Sequence, residues 1–264
     1  MHAVSRRTLL ALTLAASLSP FALAAEQKSV AVTAIVDHPA LDAARKGIED
    51  ELKAAGFEPG KQIKYQYQSA QGNPATAAQI ARKFVGDAPD VIVAIATPSA
   101  QAAVAATRSI PVVFTAVTDP VAAKLVPGWA ASKTNVTGVS DKLALAPQID
   151  LIGKVDAIYT TTDNNVVSTY ESLVAVAQQA KLPLVAADTD SVKRGAIAAL
   201  GQNYYDIGRQ TGKLVVRILK GEKAGNIAPQ LGEKLSLSLN PTAAQKQGVT
   251  LSPALLKQAQ ETVK

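Results

Sequence analysis

One sequence pattern occurs twice in this chain, and that repeat constrains the fold more than any other feature of the sequence. The first copy spans residues 90–119 and the second spans 156–190. In each copy a buried-strand pattern ends in Thr, Asp or Ser residues at the point where a helical pattern begins. Open α/β sheets bind their ligands at that edge. The repeat therefore predicts two similar lobes that face each other around a small molecule.

The remaining periodicity predicts an α/β fold of two doubly wound parallel-sheet lobes joined by a hinge. Continuous apolar runs such as 30–36 are typical of parallel strands buried on both faces, and they alternate with helical patterns. The first copy of the repeat follows two complete strand–helix units, whereas the second copy starts almost directly after the first lobe. The second lobe is therefore predicted to lack its first two units, roughly 50 to 60 residues. The junction falls at 151–154.

These patterns divide the chain into four parts. We expect a signal peptide at 1–24, a first lobe at 25–134, and a hinge with a shortened second lobe at 135–232. Residues 233–264 are expected to form a strand and a helix that pack back on the first lobe.

The N-terminus predicts export. Arg6 and Arg7 precede an apolar run at 9–18 and the small-residue cleavage pattern at 22–24, as in a secretory signal peptide. The paired arginines also match part of a twin-arginine signal, although the Sec route is favoured. The chain has no cysteine, so disulfides, thiolate metal sites and lipid attachment through cysteine are excluded. The sequence therefore predicts a periplasmic protein.

Charge and motifs exclude several classes of function. The predicted signal holds two arginines and no acid, so its removal lowers the net charge from +6 to +4. The basic residues are scattered, which argues against nucleic acid as a partner. No phosphate-binding glycine motif follows the first strand, and His38 is the sole histidine beyond the predicted signal. We therefore expect no cofactor and no metal.

The strand ends of the first lobe supply most of the predicted ligand-binding residues. Helix N-termini at such an edge offer unpaired backbone N–H groups, and nearby hydroxyls add further donors for a carboxylate. The alternative for each Thr, Ser or Asp is a simple helix cap. The predicted residues are Asp37, His38, Thr97, Ser99, Thr115, Val117 and Thr118.

The second lobe supplies the predicted partner of an ammonium group. Asp188 and Asp163 follow its strands, and a buried cation requires an opposite charge and hydrogen bonds. Thr162 and Asn203 lie beside them at strand ends. Helix capping is again the alternative, above all for Asp163.

Several motifs resemble one family of transport proteins, the periplasmic substrate-binding proteins of ABC transporters of the tryptophan/tyrosine type. The resemblance implies a type I periplasmic-binding-protein fold, a ligand between the lobes, hinge closure, and delivery to a membrane permease with its ATPase. Members of the family carry two further strand–helix units after 147–152, and their loss here would leave a central strand at an edge and uncover apolar faces. The motifs lie at 35–42, 96–101, 114–120, 159–164 and 187–192.

The leading hypothesis is a monomeric, non-enzymatic receptor of an ABC importer that binds an amino-acid-like ligand, expected to be aromatic. One alternative is an exported sensor module for a membrane receptor, and another is a deletion-damaged copy that no longer binds. A hydrolase that uses Asp37 and His38 is disfavoured because the sequence shows no nucleophile motif.

Overall fold

The computed structural model describes residues 27–142 and 156–263, which form two sheets flanked by helices. The predicted signal peptide at 1–24 and the predicted junction at 151–154 lie outside the described residues.

The first part of the described chain alternates strictly between strands and helices. The apolar run of the first strand is fully buried from Val30 to Ala34, as expected for a strand covered on both faces. Asn73 and Pro74 begin the second helix as cap and first residue, which are the positions these residue types favour. The elements are β1 Lys28–Ala34, α1 Pro39–Ala54, β2 Ile63–Ser69, α2 Pro74–Gly86, β3 Val91–Ile95, α3 Thr97–Ala106, β4 Val112–Thr115 and β5 Val136–Ser140.

The second part has shorter elements. They are β6 Ile158–Thr160, α4 Asn164–Ser168, α5 Tyr170–Ala180, β7 Leu184–Asp188, α6 Asp190–Lys193, β8 Ala198–Gln202, α7 Tyr204–Leu219, β9 Gln230–Leu231, β10 Leu235–Leu239, α8 Pro241–Lys246, α9 Pro253–Gln258 and β11 Glu261–Thr262, with a 3₁₀ turn at Ala224–Asn226.

The two sheets confirm the predicted fold class of two α/β lobes. The first sheet has the strand order β2-β1-β3-β4-β5-β9, and all its pairings are parallel. The second has the order β11-β10-β8-β7-β6, with β10 antiparallel to β8 and the other pairs parallel.

The predicted division of the chain between the lobes is wrong in two places. Strands β5 and β9, together with the long helix α7, belong to the first lobe, although they fall within 135–232. The C-terminal strand β10 pairs with β8 of the second sheet and does not pack back on the first lobe. The chain therefore passes between the lobes after β5, at Asn203, and again at 232–234.

Close packing of α7 on α1 holds the returning chain in the first lobe. Gly208 lies against α1 so tightly that a Cβ there would come 2.0 Å from the carbonyl oxygen of Ala44. A Cβ on Gly47 of α1 would come 2.2 Å from the carbonyl oxygen of Tyr205. Only glycine permits this approach of the two backbones. These paired glycines explain why α7 crosses back after β8.

In the part of the chain that the structure describes, strand β6 is an edge strand, whereas its counterpart in the repeat is central. In the first sheet β3 lies between β1 and β4, but among the described strands β6 pairs with β7 alone. This is the consequence expected if the second lobe lacks its first two strand–helix units.

One face of the second sheet is only partly covered. Leu200 of β8 pairs with Leu237 of β10, and Leu235 lies two residues along the same strand, so the three leucines share a face. Leu200 is 61% exposed and Leu235 is 56% exposed. The opposite face packs on α5 and α6 through a core that includes Tyr170. The described part of the second lobe therefore exposes an apolar face.

Candidate functional site

The carboxyl ends of strands from both lobes meet at one cavity of about 50 Å³. The sites of small ligands usually measure about 300–1,000 Å³, and 50 Å³ holds a few water molecules at most. A ligand of amino-acid size therefore enters only if the two lobes move apart.

Five of the predicted site residues line this cavity. The first lobe contributes His38 before α1, Thr97 at the start of α3, and Thr118 after β4. The second lobe contributes Thr162 after β6 and Asp188 at the end of β7. The two copies of the repeat therefore face each other across the cavity, as the sequence predicts.

Three other predicted residues of the first lobe are buried away from the cavity. Ser99 is fully buried in α3, and Val117 is fully buried in the core. The hydroxyl of Thr115 lies 2.8 Å from that of Thr211 on α7, so it helps to hold that helix on the sheet.

The remaining three predicted residues do not line the cavity, and their side chains form local hydrogen bonds. The exposed carboxylate of Asp37 accepts hydrogen bonds from Tyr67 and from Gln71. Asp163 accepts hydrogen bonds from two backbone N–H groups at the start of α4, and Asn203 accepts one at the start of α7. The capping alternative therefore describes Asp163 and Asn203.

His38 joins the two lobes. Its Nδ1 accepts a hydrogen bond from the Leu41 N–H at 3.4 Å, so the ring proton is on Nε2 and is donated to Asn164 Oδ1 at 3.2 Å. Burial lowers the pKa of His38 and outweighs the opposite effects of Asn164 and Asp188. The ring is therefore neutral near pH 7. Because both of its nitrogens are engaged by residues other than Asp37, the pair proposed for hydrolysis is not formed.

The second lobe presents a carboxylate that its own helix holds in place. Asp188 is buried, and it accepts hydrogen bonds from the Ser191 N–H at 2.8 Å and from the Ser191 hydroxyl at 2.7 Å. These bonds fix the side chain at the end of β7.

A second carboxyl group, which the sequence analysis missed, lines the same cavity from the first lobe. Asp141 follows β5, and its Oδ2 accepts a hydrogen bond of 2.6 Å from the hydroxyl of Tyr204, the first residue of α7. Burial raises the pKa of Asp141, and the charge of Asp188 acts in the same direction. The strand-end rule could have found Asp141, because it follows the apolar pattern of β5 directly.

Asn164 and Tyr204 also line the cavity, although neither is among the predicted site residues. Asn164 begins α4 and bonds His38 of the opposite lobe, whereas Tyr204 begins α7 and bonds Asp141 of its own lobe. The apolar members are Ala40, Leu41, Ala116 and Val167.

The backbone is strained at two of the strand ends. Ala96 has φ +72° and ψ 157°, a region that is almost restricted to glycine, and Ala116 has φ +53°. Such conformations cost on the order of 1–3 kcal/mol each and cluster at ligand sites. Here they turn the chain sharply after β3 and β4, so that the N-terminus of α3 and the loop with Thr118 face the cavity.

The described residues include no group of three or more His, Asp or Glu side chains placed to hold a metal ion. None of the helices described by the structure is long and apolar enough to span a membrane.

A family model described as ABC transporter substrate binding protein matches residues 29–155 and 151–263, which together cover most of the sequence. The chain belongs to this family. Its fold is that of the type I periplasmic binding proteins, as the resemblance implied, and it is a substrate-binding protein rather than a member of an enzyme family.

Three proteins are similar to this chain over most of its length. The chain is 33% identical to the tyrosine-binding protein of Clostridioides difficile (strain R20291) over 273 residues, which cover 81% of this chain and 79% of the relative. A conserved domain protein of Vibrio cholerae is 40% identical, with a TM-score of 0.84 over 90% of this chain and 100% of the other. An ABC domain in complex with L-Trp from Streptococcus pneumonia is 28% identical, with a TM-score of 0.82 over the same shares.

The alignment with the tyrosine-binding protein contains a gap of the predicted length. The match to the tyrosine-binding protein runs over 273 positions, whereas 81% of 264 residues is about 214, so about 59 residues of the relative have no counterpart here. The two matches to the family model meet at 151–155. This substrate-binding protein thus differs from its relative by a length equal to two strand–helix units.

Proposed function

We propose that this chain is the solute-binding component of an ABC importer and that it binds an aromatic amino acid between its lobes. The observation that carries the proposal is one cavity to which both lobes contribute, with hydroxyls and a helix N-terminus on one side and buried carboxyl groups close by. The relatives named for tyrosine and bound to L-Trp support the aromatic class.

Each part of an amino acid has a chemically suitable partner in this cavity. The N-terminal N–H groups of α3, with the hydroxyls of Thr97 and Thr118, suit the ligand carboxylate. The carboxylate of Asp188 suits the ammonium group. Asp163 is not part of this proposal because its carboxylate caps α4.

The mechanism is a shift from open to closed lobes. The ligand contacts both sets of strand ends only in the closed form, so its binding free energy favours closure. The bond between His38 and Asn164 then forms across the cleft. In the proposed pathway the N-terminal signal directs the chain to the periplasm, where it acts as a monomer and delivers its ligand to a membrane permease.

A thermal melt of the protein with each of the common amino acids tests the proposal. Trp129, the sole tryptophan, is 39% exposed and reports unfolding by fluorescence. A ligand that binds only the folded state raises Tm, and we expect tyrosine or tryptophan to give the largest shift. A panel in which no amino acid moves the melt would contradict the proposal.

Asp188→Asn is the matched variant for this test. The amide keeps the size of the side chain and an oxygen for the Ser191 N–H, but it removes the charge, so the ligand-induced shift should be lost. Asp87→Asn is the control, because Asp87 is an exposed residue at the end of α2 that does not line the cavity.

A further inference from the structure

Of the two acidic residues that line the cavity between the lobes, Asp141 has an oxygen without a hydrogen-bond partner among the described residues. It is only 9% exposed, and while its Oδ2 is bonded to Tyr204, its Oδ1 is buried with no hydrogen-bond partner among the described residues. A buried carboxylate oxygen without a donor is unfavourable, so such an atom requires an explanation. The oxygen belongs to a residue that lines the ligand cavity.

The described residues around Asp141 supply no cation. Tyr204 and Thr118 beside it are neutral, His38 is neutral, and Asp188 adds a second negative charge. In the part of the chain that the structure describes, no Lys or Arg forms an ion pair with Asp141 or Asp188.

The guanidinium of Arg194, whose charge acts on His38 at the cavity, is already engaged. Arg194 bonds both carboxylate oxygens of Glu171 at 2.7 Å and the carbonyl oxygen of Val167 at 2.6 Å. It therefore cannot neutralise the cleft carboxyls. Two acidic groups that share one dry cavity do not both ionise readily, so either a proton or a bound cation must compensate.

We propose that Asp141 holds a proton when the lobes are closed on an empty cleft and exchanges it for the ammonium group of the ligand. This inference rests on the proposed function, since it assigns one step of amino-acid binding. The step is Asp141–COOH plus R–NH₃⁺ giving the ion pair Asp141–COO⁻ and R–NH₃⁺, with one proton released to solvent. No bond of the ligand changes.

The proton belongs to Asp141 rather than to Asp188 because one Asp141 oxygen has no donor among the described residues, whereas both Asp188 oxygens have one. Both carboxylate oxygens of Asp188 accept hydrogen bonds from Ser191. At Asp141 burial outweighs the hydrogen bonds from Tyr204 and Thr118, so its pKa is raised. The Asp141 Oδ1 that lacks a partner is then the oxygen that carries the proton and later faces the ligand cation.

The exchange makes a positively charged nitrogen a condition of binding. An analogue with a neutral nitrogen, such as the N-acetyl amino acid, or with a hydroxyl in its place, supplies no cation to replace the proton of Asp141 and should bind weakly. Affinity for the amino acid should also rise as pH increases through the titration of Asp141 and level off above it, because the proton that must leave is then already absent.

Calorimetry in two buffers tests the exchange directly. Tryptophan and tyrosine are titrated into the wild-type protein in phosphate and in Tris at several pH values, and the difference in heat gives the number of protons released. We expect a release that approaches about one proton per ligand at low pH and falls towards zero at high pH.

Asp141→Asn supplies the second arm of the experiment. The amide preserves the volume and an acceptor for Tyr204, but it cannot exchange a proton or pair with a cation. We expect a loss of affinity of at least about 30-fold and no proton release, whereas Asp87→Asn should match the wild type.

The outcomes separate the inference from the proposed function. If the wild type binds neither tryptophan nor tyrosine nor any other amino acid, the proposed function fails and the exchange fails with it. If the wild type binds but releases no proton, or if Asp141→Asn binds as tightly as the wild type, only the inference is overturned. Proton release is measured on the unaltered protein, so the test does not depend on the folding of a variant.

Discussion

His38 and Asn164 connect the lobes through a hydrogen bond of 3.2 Å between Nε2 and Oδ1. Each residue lies at the beginning of a helix in its own lobe, α1 for His38 and α4 for Asn164. The bond can form only when the lobes are closed, so it contributes to the closed state and not to the open one.

Removing this bond should shift the chain towards the open state. A hydrogen bond contributes about 0.5–1.5 kcal/mol, so Asn164→Ala should weaken ligand binding about 2- to 13-fold and increase the radius of gyration without ligand. Isothermal titration and small-angle X-ray scattering measure the two effects. Asn165→Ala, which changes the exposed neighbouring side chain, is the control and should alter neither quantity.

The contact between α1 and α7 should be intolerant of any added atom. Gly208→Ala places a Cβ within 2.0 Å of the Ala44 carbonyl oxygen, so the helices must separate at a cost of about 1–3 kcal/mol or more. Gly86→Ala in α2 meets no atom within 4 Å and should instead stabilise the fold by about 0.4–1 kcal/mol. Urea unfolding measures both. Equal midpoints for the two variants would show that the helices can separate freely.

Asp190 should make stability fall as pH rises. Burial and the charge of Asp188 raise its pKa to about 6 from 3.8, so the folded state binds its proton more tightly than the unfolded state. The bound proton contributes about 2–3 kcal/mol to the free energy of unfolding. This contribution is fully present below pH 3.8 and is lost as pH rises through 6.

Asp190→Asn removes this titration. The variant should therefore gain stability relative to the wild type between about pH 4 and pH 6 and keep that gain at pH 7. Urea unfolding of both proteins across this range measures the difference. A difference that stays constant with pH would mean that Asp190 does not titrate as described.

The uncovered leucine face of the second sheet should bind apolar probes. Leu200 and Leu235 are more than half exposed, so the double change Leu200→Ser with Leu235→Ser should lower the fluorescence of an apolar dye bound to the native protein. Its effect on the unfolding free energy should be within about 0.5 kcal/mol per site, because little burial is lost. Leu239→Ser, a fully buried control on the same strand, should destabilise strongly.

The strand-end rule located five cavity residues but could not separate binding groups from caps. Asp163 and Asp188 follow or end two strands of the second copy of the repeat, and both accept backbone N–H bonds at a helix start. Only Asp188 also reaches the cavity. The distinction depends on which way the strand end faces, and no local pattern reports it.

The sequence by itself determined the α/β class, the parallel strands, the duplicated site edge and the shortened second lobe. These follow from hydrophobic periodicity and from a comparison of the chain with itself, which are local properties. Only the tertiary structure decided that α7 and β9 return to the first lobe, that β10 completes the second sheet, and that Asp141 shares a cavity with Asp188. Those outcomes depend on contacts between residues far apart in the chain, such as Gly47 with α7, whose free energy no local pattern contains.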